Sequence, residues 1–268
     1  MIEMQFCIPH SAFILVSMIV LKGISKSYGS TPVLRDVTLT IDPGELVCIT
    51  GKSGAGKSTL LHLLTGAEAV TKGGIEVDGV DLRAVPGPVM QLYRRRIGIV
   101  FQDYRLIGRL TVSENIAFPL QVCGLPDAEV DRRVGTLMKD LEIQRHARSF
   151  PHALSGGEKA RTAIARAIVG KPMILLCDEP TGNVDPEASK NILDIFKRIH
   201  AQGTTVIIAT HDAALVTALG ARRIHIEDGR IVSDTPRAGA HYREHHVLDA
   251  EKLPAGGRKK VKVTAIGG

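Results

Sequence analysis

Short apolar runs rich in β-branched residues recur along the chain at residues 19–24, 37–41, 45–50, 75–79, 97–101, 173–179, 205–210 and 223–232. Between them lie segments with helical spacing, beginning after Lys57, Ser155, Pro186 and Asp212. Alternation of this kind predicts an α/β fold with a mainly parallel core sheet covered by helices and with antiparallel hairpins at either end. From Ala84 to about Pro151 the strand pattern stops, apart from residues 97–101, and becomes helical, punctuated at Gly108, Pro119, Gly124 and Pro126. That stretch reads as an inserted helical subdomain. The last residues, 237–268, have no apolar periodicity and are expected to be disordered. At the other end, Ala12 to Leu21 is about half the ~20 apolar residues a spanning helix needs. Glu3, not a basic cluster, precedes it, so it does not read as a signal peptide. Met18 opens the first strand, so residues 1–17 are read as an extension and 18–236 as the folded domain.

Composition narrows the class. With 268 residues the chain has ample core, which excludes a small stapled scaffold. Aromatics at 4% with no Trp make that core aliphatic. The net charge of +6 invites a nucleic-acid reading until its distribution is seen: seven Lys/Arg against three acids lie from Arg237 onward. The rest is nearly neutral, so the domain has no footprint for wrapping nucleic acid and none is expected as a partner. Cys7, Cys48, Cys123 and Cys177 lack C-x-x-C spacing, which predicts buried free thiols in a reducing compartment over disulfides or a metal site.

The chemistry is carried by two strand ends. Gly51, Lys52, Ser53, Gly54, Ala55, Gly56, Lys57, Ser58 and Thr59 follow an apolar strand and open a helical run. This is the complete G-x-x-x-x-G-K-[ST] phosphate loop in its required setting, which makes a nucleotide phosphate the expected ligand. Its glycines let successive N–H groups converge on phosphate oxygens, and the helix directs its positive end at the same charge. Lys57 is expected to reach the β- and γ-phosphates and Ser58 to bind Mg²⁺. Downstream, an apolar strand ends in Asp178 and Glu179, which suits one carboxylate for the Mg²⁺ shell and one for the attacking water. A solvated acidic turn is the competing reading, and the phosphate loop weighs against it.

Leu154-Ser155-Gly156-Gly157-Glu158, whose serine lies 98 positions after Lys57 and 23 before Asp178, resembles the signature motif of the ATP-binding cassette family. The resemblance runs from Ile19 to about Thr235. It implies a P-loop ATPase that dimerises head to tail, so that Ser155, Gly156 and Gly157 of one chain close on the γ-phosphate held by the other. It also implies that Tyr28 stacks on adenine, that Gln102 senses Mg²⁺ and couples to a partner, that Asp185 forms the D-loop, and that His211 meets the γ-phosphate. Lys159, where the family usually has Gln, is expected to tune packing at the signature helix without abolishing activity.

Phe101 to Leu106, Thr111 to Leu120 and the Gly182-Asn183-Val184-Asp185 form of the D-loop are most similar to the cell-division branch of that family, the FtsE-type ATPases. This implies a homodimer docked on an FtsX-like integral membrane subunit, at the cytoplasmic face of the bacterial inner membrane, controlling cell-wall hydrolysis. Coupling is then expected around Gln102 to Phe118 through Tyr104, Leu106 and Ile107, with Phe118 read as core of the helical subdomain. The alternative is the ATPase subunit of a lipoprotein-release or macrolide-type exporter, with the same catalytic residues and a different membrane partner.

Overall fold

The computed structural model describes residues 18–236. The extension at 1–17, the basic tail at 237–268 and Cys7 lie outside them. The apolar runs form two sheets. Strands β1 (Ile19–Tyr28), β2 (Thr31–Ile41), β4 (Lys72–Val77) and β5 (Val80–Asp81) make an antiparallel sheet ordered β2-β1-β4-β5. Strands β3 (Leu46–Thr50), β6 (Ile97–Val100), β7 (Ile174–Asp178), β8 (Thr205–Thr210), β9 (Arg222–Glu227) and β10 (Arg230–Thr235) make the second, ordered β10-β9-β3-β8-β7-β6. It is parallel except for β10, which returns antiparallel on β9.

The central strands are apolar on both faces because each face covers a separate core. Along β3, Leu46 and Cys48 point into one core while Val47 and Ile49 point into the other. The same alternation divides Leu175 and Cys177 from Ile174 and Leu176 on β7, and Val206 and Ile208 from Ile207 and Ala209 on β8. One core is closed by helices α3 (Val112–Val122), α4 (Asp127–Asp140), α5 (Gly156–Ile168), α6 (Pro186–Ala201) and α7 (Ala213–Leu219). The other is closed by α1 (Lys57–Leu64) and the antiparallel sheet. Burying side chains on both faces at about 25 cal/mol per Å² is what the near-continuous aliphatic runs supply.

Of the stretch from Ala84 to about Pro151, α3 and α4 pack with α5 in the helical core, whereas α2 (Gly87–Arg95) lays Met90 and Tyr93 against the other core. Pro119 does not end its helix but lies inside α3. A single proline removes one backbone bond, and the helix spans it here because Ile116, Ala117 and Leu120 hold it to the core. The two sheets are cross-linked by Arg222 at the start of β9: its guanidinium bonds Asp234 of β10, Glu45 just before β3 and the Thr40 carbonyl of β2. Cys48 and Cys177 are buried free thiols, with burial pushing Cys48 up to about 12. Cys123 departs from the expectation: it caps the C-terminal end of α3 and is exposed.

Candidate functional site

The carboxyl ends of β3, β8, β7 and β6 lie side by side, and the loops leaving them gather most of the candidate residues, as open parallel sheets do. The phosphate loop runs from the end of β3 to Gly56, which caps α1 at φ 104°, a left-handed conformation natural to glycine. Gly51 is fixed by space: a Cβ there would fall 2.3 Å from the Ile226 carbonyl oxygen. Lys57, the first residue of α1, is buried, and its ammonium donates to the carbonyls of Gly51 at 2.9 Å and Lys52 at 3.1 Å. It therefore stands over the loop whose N–H groups and helix N-terminus attract anions. Lys52, Ser53 and Gly54 are exposed, and Ser58 and Thr59 half-buried.

Asp178 ends β7, and Glu179 follows with φ 45°, in the left-handed region that costs a non-glycine residue about 1–2 kcal/mol. Strain of this kind persists where the surroundings over-determine it. The Glu179 N–H donates to the Ala209 carbonyl at 2.8 Å, and the Glu179 carbonyl accepts from Gly182 at 3.1 Å. Its carboxylate is nearly buried. One oxygen lies 2.8 Å from His211 Nδ1 and 3.8 Å from Lys57 Nζ; the other accepts from the Thr210 hydroxyl at 3.0 Å. Lys57, Glu179 and His211 thus form one cluster. Thr210 was not singled out from sequence, although the only signal was available: it is the polar end of an apolar strand, directly before His211.

One carboxylate oxygen of Asp178, Oδ1, is buried with no hydrogen-bond partner among the described residues. A carboxylate is rarely left so, and a cation or its water shell would satisfy it, so the residues present fit Mg²⁺. No group of three or more His, Cys, Asp or Glu among the described residues could hold a metal alone.

Gln102 is exposed after β6, its carbonyl accepting from Asn183 Nδ2 at 3.1 Å. The lid loop beyond it overturns part of the sequence reading. Tyr104, expected at the partner-facing surface, is 4% exposed and packs in the helical core, while Phe118, expected in that core, is 43% exposed on α3. Leu106 is partly buried on the same core, and the N–H of Ile107 donates to the Asn115 side chain at 2.8 Å. The cause is backbone conformation: Tyr104 and Arg105 have φ 60° and 44°, a reversal that turns the tyrosine ring inward. Exposed apolar surface lies instead on α3, at Phe118 and Val122.

Ser155 caps α5 in a capping box, its hydroxyl accepting from the Glu158 N–H and its own N–H donating to the Glu158 carboxylate. Burial pushes the Glu158 carboxyl up, but the Ser155 N–H and hydroxyl, Arg145 at 3.1 Å and His146 at 2.7 Å outweigh it and bring it to about 2. Asp185 likewise caps α6, accepting from the Ala188 N–H at 2.8 Å. The two caps touch: a Cβ at Gly156 would lie 2.3 Å from the Asn183 carbonyl oxygen, and one at Gly157 2.9 Å from Ala188 Cβ. Lys159 is half-buried, and nothing in the structure explains its choice. Tyr28 presents an exposed ring beside Thr59. Its hydroxyl bonds Glu68, which is the main cause of its raised pKa, and Lys26 lies 4.9 Å over its ring. Among the described residues no hydrogen bond or ion pair joins Ser155, Gly156 or Gly157 to the phosphate loop.

The model of the ABC transporter family matches residues 34–182. Among curated proteins, the chain is 43% identical over 220 residues to the cell division ATP-binding protein FtsE of Streptococcus pneumoniae, covering 82% of this chain and 96% of that one. It is 41% identical over 215 residues to the FtsE of Escherichia coli K12, covering 80% and 97%. Similarity to the methionine import ATP-binding protein MetN of Caulobacter vibrioides is 39% over 220 residues, covering 81% of this chain but 66% of MetN. Among solved structures, the dimeric post-hydrolysis state of the ATP-binding cassette MJ0796 bound to ADP and Pi matches with a TM-score of 0.77 and 33% identity, over 83% of this chain and all of that one.

Proposed function

The chain belongs to the ABC transporter family of ATP-binding cassettes, and on that premise we propose that it is the ATP-hydrolysing subunit of an FtsEX-like complex in bacterial cell division. The observation that carries the catalytic part is the placement of the Glu179 carboxylate between Lys57, His211 and Thr210 at the end of β7. A carboxylate so held serves as the base that orients and deprotonates water for in-line attack on the γ-phosphate. Lys57 and the loop N–H groups hold the β- and γ-phosphates, and His211 offers a donor to the charge that develops there. Mg²⁺ supplies charge neutralisation at the phosphates when bound, and Ser58, Asp178 and Gln102 are the groups to hold it. Tyr28 offers its ring to adenine.

The second half of each site comes from another copy. Ser155, Gly156 and Gly157 present a helix N-terminus with no bond to their own phosphate loop, which supports closure on the γ-phosphate of a partner chain, with Asp185 at the junction. Such a homodimer agrees with the dimeric state of the similar cassette MJ0796.

For the role in division, the support is similarity to FtsE proteins along 96–97% of their length, against 66% for MetN. The partner is then an FtsX-like membrane subunit, and the chain sits peripherally at the cytoplasmic face of the inner membrane. No described helix is long and apolar enough to cross one. An import ATPase is the second reading, which the MetN similarity supports, while nothing in the comparisons favours the lipoprotein-release or macrolide-type exporter.

Two experiments test these readings. Glu179→Gln should bind ATP nearly as well as wild type, lose turnover and accumulate as an ATP-bound dimer; a variant that still turns over removes Glu179 from the base role. Pull-down of that variant with MgATP from native membranes should recover an FtsX-like subunit. Recovery of a solute permease would move the protein to transport.

A further inference from the structure

Arg166 lies near the C-terminal end of α5, the helix that begins at the signature serine. Its guanidinium donates from Nη1 to the Arg105 carbonyl and from Nη2 to the Tyr104 carbonyl, each at 2.7 Å. It has no carboxylate partner among the described residues, and burial lowers its pKa. Tyr104 and Arg105 are the two consecutive left-handed residues that follow Gln102 by two and three positions. Consecutive carbonyls point the same way in a backbone of helical sense and opposite ways in an extended one. A planar fork can therefore hold both only while the backbone at Arg105 stays out of the extended region. From the other side, Asn183 of the D-loop donates to the Gln102 carbonyl itself.

We infer that Arg166 is a positioning residue for the lid loop: its fork holds the Tyr104–Arg105 turn and so ties the place of Gln102 to the signature helix. The inference rests on the role proposed above for Gln102 at the Mg²⁺ and γ-phosphate. Two features make the segment a spring and not a passive turn. Neither residue is glycine, so the conformation is held against its own preference. The Tyr104 hydroxyl is buried without a hydrogen-bond partner among the described residues, which a relaxed loop would release to water. A movement of α5 relative to the sheet then reaches Gln102 through two hydrogen bonds.

The test uses the full chain. Amide exchange read by mass spectrometry reports the loop directly, since the Tyr104 and Arg105 N–H groups bond the Phe101 and Asp103 carbonyls. Arg166→Ala should speed exchange at these two amides about tenfold and lower kcat for ATP hydrolysis about tenfold, with KM for ATP within about twofold. Adding Arg105→Gly, which adopts a positive φ without cost, should restore most of kcat. Arg166→Lys keeps the charge without the fork and should fall between; it also serves if the alanine variant does not fold. Unchanged exchange at Tyr104 and Arg105 overturns the inference, as does a kcat loss in a folded variant that Arg105→Gly leaves in place. Failure of the catalytic reading appears elsewhere, as turnover in Glu179→Gln, and leaves the exchange comparison intact.

Discussion

Glu179 and Gly51 face opposite constraints within one site. Glu179 carries a side chain in a conformation that disfavours one, whereas Gly51 admits no side chain at all. Gly51→Ala should distort the phosphate loop and weaken ATP binding at least tenfold, read by titration with a fluorescent nucleotide, because the Ile226 carbonyl that blocks the new methyl belongs to a sheet strand. Lys57→Ala should weaken binding and hydrolysis together, since its ammonium is committed to the loop; wild-type ATP affinity in that variant would sink the role proposed for it. Tyr104→Phe should raise stability by about 1 kcal/mol in urea unfolding, as it deletes an unpartnered buried hydroxyl. Lys57, Glu179 and His211 were legible in the sequence because each sits at a fixed offset from a strand end. The left-handed turns at Glu179, Tyr104 and Arg105 were not, because hydrophobic periodicity carries no information about the sign of φ at a single non-glycine residue. The misplacement of Tyr104 follows from that.

Among the elements, α5 depends most on its own first turn. The Glu158 carboxyl titrates near 2 when folded against an ordinary 4.5, so its contribution is complete above pH 4.5 and is lost as pH falls through 2. Wild type should therefore lose more stability than Glu158→Gln between those values, measured by thermal unfolding across the range; parallel curves would remove the cap from the acid response. Ser155, expected from the resemblance to close on a partner's γ-phosphate, and Asp185, expected to form the D-loop, are both helix N-caps as well, a role that Ser with Glu three residues later and Asp before Pro also signal. Arg222→Ala should cost about 1–2 kcal/mol, more than an exposed pair and less than a buried one, because half-buried Glu45 and exposed Asp234 would lose their common partner. Arg222 was missed in the sequence, since its acceptors lie far apart along the chain.

At the scale of the whole molecule, the parallel sheet was readable from its runs of Val, Ile and Leu, and the order of its strands was not, because order depends on long-range pairing. A head-to-tail pair built from this chain makes a further prediction. Lys57→Ala and Ser155→Arg variants should each be inactive alone. Mixed in equal amounts, random pairing should place one intact composite site in about half the dimers, restoring about a quarter of wild-type turnover. A mixture as inactive as its parts would place both halves of the site within one chain. The two cores on opposite faces of the six-stranded sheet also leave a mark on inheritance. Changes at Ile49 and Ile207 share one core, while Ile49 and Ile208 look into different ones. Only the first pair has common neighbours through which one change can alter the effect of the other. In a library of double variants, epistasis along β3 and β8 should alternate with every residue, so a lineage can rework one side of the sheet with little regard to the other.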